Sequence, residues 1–258
     1  MNMLYGHESH RKGFEILITN NALRHGYLFY GDAHIGKALF ARHILHRLEY
    51  GAFEINDKPL FDALWIAPDE KKNIGIDAVR AIKEFLWTTP LQSTRRSVVI
   101  DEAHMLTREA QGALLKIVEE PPLHALLIFI THDKDAFPAP LLSRLNRIYF
   151  ERMKKEKLIE VLVKEQWCAP EHIKKCVEKA MGRIGRAYTL CKEEKNIENS
   201  ESSLQDILQE NIVHFYKSGA CPQTVRWLLN RESSLRRYNL NPVLQKKAIE
   251  FKKVYKVQ

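Results

Sequence analysis

The sequence predicts an α/β fold, a mostly parallel sheet flanked by helices, followed by segments that are helical only. Three observations carry this expectation. Short runs of β-branched and aromatic residues alternate with helix-period segments over residues 1–150. No convincing strand follows residue 150. The polar stretch 192–203, rich in Lys, Glu, Asn and Ser, reads as a linker before a helical tail.

Taken in order, residues 7–23 place Phe14, Ile16, Leu17, Ile18, Ala22 and Leu23 at helix-compatible spacing, and Gly26 ends the segment. Tyr27 to Tyr30 is a short buried strand, residues 31–37 a loop, and Ala38 to Leu48 a helix carrying Leu39, Phe40, Ile44 and Leu45. A second strand is predicted over 63–66, a helix over 76–87 and a third strand over 97–100. The next helix, 107–119, sets Ala110, Leu114, Leu115 and Val118 on one face. Pro121 and Pro122 stop it, because each ring removes a donor and clashes with the preceding turn. Strands follow at 126–131 and 147–150, then helices at 154–165, 170–181 and 186–192. Beyond the linker, helices are expected at 204–216, 224–229 and 242–255.

With 258 residues, 45% of them apolar and 28% charged, the chain has the composition of a folded protein and not of a disordered one. Its longest apolar run, Ala125 to Ile130, is far short of a membrane span. The first twelve residues include His7, Glu8, Arg11 and Lys12 and lack the apolar stretch of a signal peptide, so a cytoplasmic protein is expected. Cys168, Cys176, Cys191 and Cys221 form no Cys-x-x-Cys unit and read as free thiols, with no metal expected. The net charge of +8 is unevenly spread. Residues 1–150 hold 18 basic and 18 acidic side chains, whereas residues 151–258 hold 22 and 14. That asymmetry fits either contact with nucleic acid or lysine-rich solvated helix faces.

Two motifs carry chemistry. Gly31-Asp32-Ala33-His34-Ile35-Gly36-Lys37-Ala38 follows a strand and opens a helix, the setting of a phosphate loop. There, backbone N–H groups and a helix N-terminus cradle phosphate, a lysine adds charge, and a Ser or Thr hydroxyl ligates Mg²⁺. Here Ala38 removes the hydroxyl, and Asp32 brings a carboxylate to a cradle built for anions. The alternative is that Gly31, Gly36 and Lys37 form only a strand-to-helix turn. The second motif is Asp101-Glu102 at the end of a buried strand, the Walker B arrangement, in which Asp101 would hold Mg²⁺ through water and Glu102 would polarise the attacking water. The same pair could simply cap the next helix or face Lys37. The histidines, among them His104 and His132, show no ligand spacing and read as surface or packed imidazoles.

A more specific pattern runs from Leu86-Trp87-Thr88-Thr89-Pro90-Leu91 through Ile100-Asp101-Glu102-Ala103-His104-Met105-Leu106. It continues through Ala113-Leu114-Leu115-Lys116-Ile117-Val118-Glu119-Glu120-Pro121-Pro122 to Leu141-Leu142-Ser143-Arg144-Leu145. This succession resembles bacterial clamp-loader AAA+ subunits of DNA polymerase III, and among them most of all the delta-prime branch. The likeness covers residues 1–192 well and the tail more loosely, where Tyr238-Asn239-Leu240-Asn241-Pro242 is similar to the entry of the last collar helix.

The resemblance implies an AAA+ P-loop core over 1–150, a small helical lid over 151–195 and a shortened all-helical collar over 196–258. It implies a nucleotide site at Gly31, Gly36, Lys37, Asp101, Glu102 and the sensor position Thr131. Against the family's phosphate loop, Asp32 stands for proline, His34 for the middle glycine and Ala38 for the hydroxyl residue. The sensor arginine of the lid falls on Gly185, with Arg183 and Arg186 as poor substitutes. These departures imply a subunit without ATPase activity of its own, needing neither ATP nor Mg²⁺. Arg144 is retained from the Ser-Arg-Cys motif, whose arginine reaches the γ-phosphate held by a neighbouring subunit; Leu145 replaces the cysteine. The implied partners are the delta and tau/gamma subunits, the sliding clamp and the primer–template DNA backbone. A tau/gamma-like loader ATPase with weak hydrolysis is the alternative, and a basic DNA-binding module over 151–258 is a third possibility. Residues 38–100 lack the cysteines of the family's zinc module, so no structural zinc is expected there.

Overall fold

Five parallel strands form one sheet in the order β2-β3-β4-β1-β5. The structure is a computed structural model describing residues 3–193, with Arg226 and Asn230 beyond them. The predicted tail helices, the collar and Cys221 lie outside the described residues, as does nearly all of the 192–203 linker. The strands are β1 (Gly26–Tyr30), β2 (Ala63–Ile66), β3 (Arg96–Ile100), β4 (Ala125–Thr131) and β5 (Asn146–Tyr149). The helices of the sheet region are α1 (Glu8–Thr19), α2 (Lys37–Tyr50), α3 (Ile76–Leu86), α4 (Arg108–Glu119) and the single turn α5 (Ala139–Leu142). Beyond them lie α6 (Lys155–Glu165) and α7 (Pro170–Ala180), and residues 184–193 are also helical. Contacts divide the chain into two units, one of Met1–Glu165 with Lys174–Tyr188 and another of Gln166–Ile173 with Thr189–Gln258. In the second unit, the sulfurs of the buried Cys168 and Cys191 are 3.0 Å apart.

The expected α/β architecture holds. The pleat explains why the sheet makes two cores, since successive side chains point to opposite faces. Leu28, Val98, Ile100, Leu127 and Phe129 pack toward α3 and α4. Tyr27, Phe29, Val99, Leu126, Ile128 and Ile130 pack toward α1 and α2. Both faces of β3 and β4 are covered, so these strands are buried along their whole length. On α3 the buried residues are Val79, Ile82 and Leu86, and on α4 they are Ala110, Leu114, Ile117 and Val118. Each set is one helical stripe. The Thr107 side chain caps α4 by accepting from Ala110 N–H at 3.2 Å.

Three local differences from expectation have physical causes. Helix α1 ends at Thr19, before the predicted 23, because Asn21 adopts a left-handed φ of 48°. Helix α2 runs on to Tyr50, stopped by Gly51 at φ 76°. The single turn α5, too short to show a helical period, was not expected from the sequence.

The start of β3 is fixed by a buried ion pair. Asp62, 1% exposed at its side chain, accepts from Arg96 Nη1 at 2.5 Å. It also accepts the N–H groups of Leu91, Gln92 and Ser93 at 2.8, 2.6 and 2.7 Å. The Arg96 guanidinium lies over the Phe85 ring and bonds Thr88 Oγ1 and the Phe61 carbonyl. One carboxylate thereby ties the loop after α3 to the sheet edge. Burial pushes the Asp62 carboxyl upward, but the three N–H donors and Arg96 outweigh it and hold it below the ordinary carboxylate range.

Removing the carboxylate strands a buried guanidinium, so Asp62→Ala is expected to lose about 3 kcal/mol or more in urea unfolding at pH 7. The depressed folded-state pKa makes this contribution complete above about pH 4. It disappears as the pH falls through the folded value, and Asp62→Asn should flatten that acid limb.

Candidate functional site

Strands β3, β4 and β1 are neighbours, so the segments leaving their carboxyl ends converge, as ligand sites of parallel sheets require. Asp101 follows β3, Thr131 ends β4 opposite Tyr30 of β1, and the Gly31–Gly36 loop leads from β1 into α2. A cavity of about 450 Å³ opens there. It is lined by Gly36, Lys37, Ala38, Asp101, Glu102 and Thr131, and also by Tyr5, Arg42, His104, His132 and Gly185. Of the expected site residues, Gly31 and Arg144 lie outside the lining.

Gly31 is explained by packing. Its φ is 135°, and a Cβ there would stand 2.4 Å from the Phe150 carbonyl oxygen. Gly36 precedes α2 with φ 103°. His34 takes φ 64° at the position where the family has glycine, so the imidazole-bearing residue adopts the left-handed backbone itself. Its carbonyl accepts the Gly185 N–H at 2.8 Å, and a Cβ on Gly185 would meet that same oxygen at 2.8 Å. The lid position expected to carry an arginine in the family therefore has no room for a side chain while the loop holds this shape.

Lys37 is 6% exposed. Its ammonium donates to the Gly31 carbonyl at 2.7 Å and to the Asp32 carbonyl. Burial lowers its pKa to about 8, opposed in part by the Asp101 and Asp32 carboxylates. The Asp32 carboxylate pairs with Arg152, which holds its pKa below the ordinary range. Burial raises the Asp101 carboxyl, the Glu102 N–H pulls it back, and the Glu102 charge pushes it further up. Glu102 itself has φ 47°. The Thr131 hydroxyl donates to the Asp133 carbonyl at 2.8 Å and accepts the Asp133 N–H at 3.0 Å, which closes the turn after β4.

His104 and His132, expected as surface or packed imidazoles, both line this cavity. The His104 and His132 rings lie 4.0 Å apart at their centroids. Their positions, two residues beyond Glu102 and one beyond Thr131, were the only available signal. Burial lowers the His104 pKa, and His132 adds to the effect.

As held in this structure, the residues leave a nucleotide–Mg²⁺ pair short of ligands. Ala38 supplies no oxygen, burial raises the Asp101 carboxyl above its ordinary range, and the Lys37 ammonium is bonded to carbonyls of its own loop. Arg144, after α5, is 40% exposed at its side chain and pairs through Nη2 with Glu119 Oε1 at 2.8 Å. Its Nη1 donates to the Pro140 carbonyl at 2.8 Å.

The family described as "DNA polymerase III, delta subunit" matches residues 6–154, more than half of the chain. This chain belongs to that family. Among curated relatives, DNA polymerase III subunit gamma/tau of Mycoplasma pneumoniae is 28% identical over 220 residues, covering 78% of this chain and 32% of that protein. Subunit gamma of Buchnera aphidicola is 27% identical, covering 72% and 56%. The chain thus spans from about a third to somewhat over half of the length of these relatives. Among solved structures, a DNA polymerase III gamma subunit-related protein of Thermotoga maritima superposes with a TM-score of 0.51 at 19% identity, covering 95% and 92% of the two chains. The Thermotoga maritima RuvB Holliday junction branch migration motor gives 0.55 at 16% identity, covering 75% and 63%. These likenesses show a shared AAA+-type fold. No helix among the described residues is long and apolar enough to cross a membrane.

The buried ammonium yields a testable sign. With a folded-state pKa near 8 and an ordinary unfolded value of about 10.4, the unfolded chain binds more protons between those limits. Stability should therefore gain a rising component from pH 8 to about 10.4, and Lys37→Met should lack it. Urea unfolding across that range compares the two proteins, and equal slopes would refute an ammonium held out of water.

Proposed function

We propose that this chain is a delta-prime-type subunit of the DNA polymerase III clamp loader, a cytoplasmic scaffold that does not hydrolyse ATP and offers Arg144 to a neighbouring ATPase subunit. The observation that carries this is the state of Lys37, whose ammonium is spent on the carbonyls of Gly31 and Asp32. So placed, the ammonium has two of its three N–H groups committed before a phosphate arrives. With Ala38 and Gly185 at the metal and lid positions, three parts that hydrolysis in this chain would use are altered together. Arg144 stands apart from that cavity and is half-exposed, and its fork suits the developing charge of a transferred phosphoryl group. Delta, tau/gamma, the sliding clamp and the backbone of primer–template DNA are the partners this role requires.

A second reading is favoured by two observations. Lys37, Asp101, Glu102 and Thr131 line a single cavity, and the curated relatives include gamma/tau subunits. A weakly active, tau/gamma-like ATPase would use that cavity directly.

Calorimetric titration of the full chain with ATP and Mg²⁺ separates the two, with no micromolar binding and no turnover expected for the scaffold. In a reconstituted loader, Arg144→Ala should slow DNA-stimulated hydrolysis at the adjacent ATPase by about tenfold or more, as for other arginine fingers supplied in trans. Unchanged turnover would remove the finger role.

A further inference from the structure

Helix α4 ends with an electrostatic oddity. Glu119 is its last residue and Glu120 its C-cap, so two carboxylates sit where the helix dipole is already negative. Local helix physics disfavours that choice, and Lys116 is the only basic residue in the last turn. The compensating charge comes from another element. Arg144 Nη2 meets Glu119 Oε1 at 2.8 Å, with the two side chains 40% and 39% exposed. Behind the pair, Leu141 of α5 is fully buried in the cluster that contains Ile117 and Val118 of α4. The bases of both side chains are therefore rigidly placed, while their charged tips face water.

We propose that Glu119 is a latch for Arg144, a positioning residue that holds the guanidinium on its own subunit until a phosphate bound by the neighbouring subunit displaces it. The proposal rests on the trans-acting role of Arg144. An exposed ion pair is worth little, so a multiply charged phosphate can outbid it. Nη1 meanwhile keeps a second anchor on the Pro140 carbonyl, so exchanging the Nη2 partner redirects the fork without freeing the whole side chain. When the arginine leaves, Glu119 remains unpaired at the negative end of α4, which favours the return of the cation once the phosphate departs.

In a reconstituted loader without DNA or clamp, Glu119→Gln should raise the basal turnover of the adjacent ATPase by about two- to fivefold, the scale of an exposed ion pair. Glu119→Asp should restore part of the restraint. The double variant Glu119→Gln, Arg144→Ala should match Arg144→Ala alone, because the carboxylate acts only through the arginine. Unchanged or lower turnover in Glu119→Gln, or an equal rise when Arg144 is absent, would overturn the latch. Hydrogen exchange of the Arg144 guanidinium, read by NMR on the full isolated chain, supplies a measurement without ATP. It should be slowed in the parent and fast in Glu119→Gln, and equal rates would likewise overturn the proposal. If guanidinium exchange shows the latch but Arg144→Ala leaves loader turnover unchanged, the trans role fails and the ion pair is only structural.

Discussion

The carbonyl bonds of Lys37 are the constraint on which the candidate site depends. An ammonium taken out of water needs acceptors, and here the nearest belong to the loop that precedes it, at Gly31 and Asp32. Bonded there, the cation ties the loop to the start of α2. Asp32 is turned outward to Arg152, and the His34 carbonyl is taken by Gly185. Of these contacts, those of Lys37 engage a donor that a phosphate cradle would offer its anion. The loop retains the outline of a phosphate site while its polar groups answer to the protein.

The surrounding fold accounts for why so much of the motif persists. Gly31 has a steric reason, because the Phe150 carbonyl leaves no space for a Cβ. Asp101 and Thr131 sit on the carboxyl ends of the two most deeply buried strands, where chain direction and register bring them to the same cavity. The sheet alone therefore suffices to hold these residues together. The Asp62–Arg96 pair performs a comparable service at the opposite end of β3, fixing where that strand begins.

Arg144 belongs to a different part of the molecule. It is rooted in the short α5 turn against α4, away from the cavity, and its partner Glu119 comes from the end of α4. The same ion pair can be a plain surface contact or a restraint on an arginine that works across a subunit boundary. Its exposure and its position at the unfavourable end of a helix dipole give the second description its physical basis.

By itself, the sequence determined the alternation of strands and helices, because periods of 2 and 3.6 are local properties that survive without a partner. It also marked the loop at Gly31–Ala38 and the acids at Asp101 and Glu102, since each motif is contiguous. Segment ends at Thr19 and Tyr50 depended on single residues entering left-handed backbone, and the four-residue α5 was too short to show a period. The tertiary structure alone decided what Lys37 holds, why Gly185 lacks a side chain, that Asp62 meets Arg96, and that Arg144 meets Glu119. Each of these joins atoms whose chemistry is evident in one dimension but whose partner is chosen by packing, which linear order does not record.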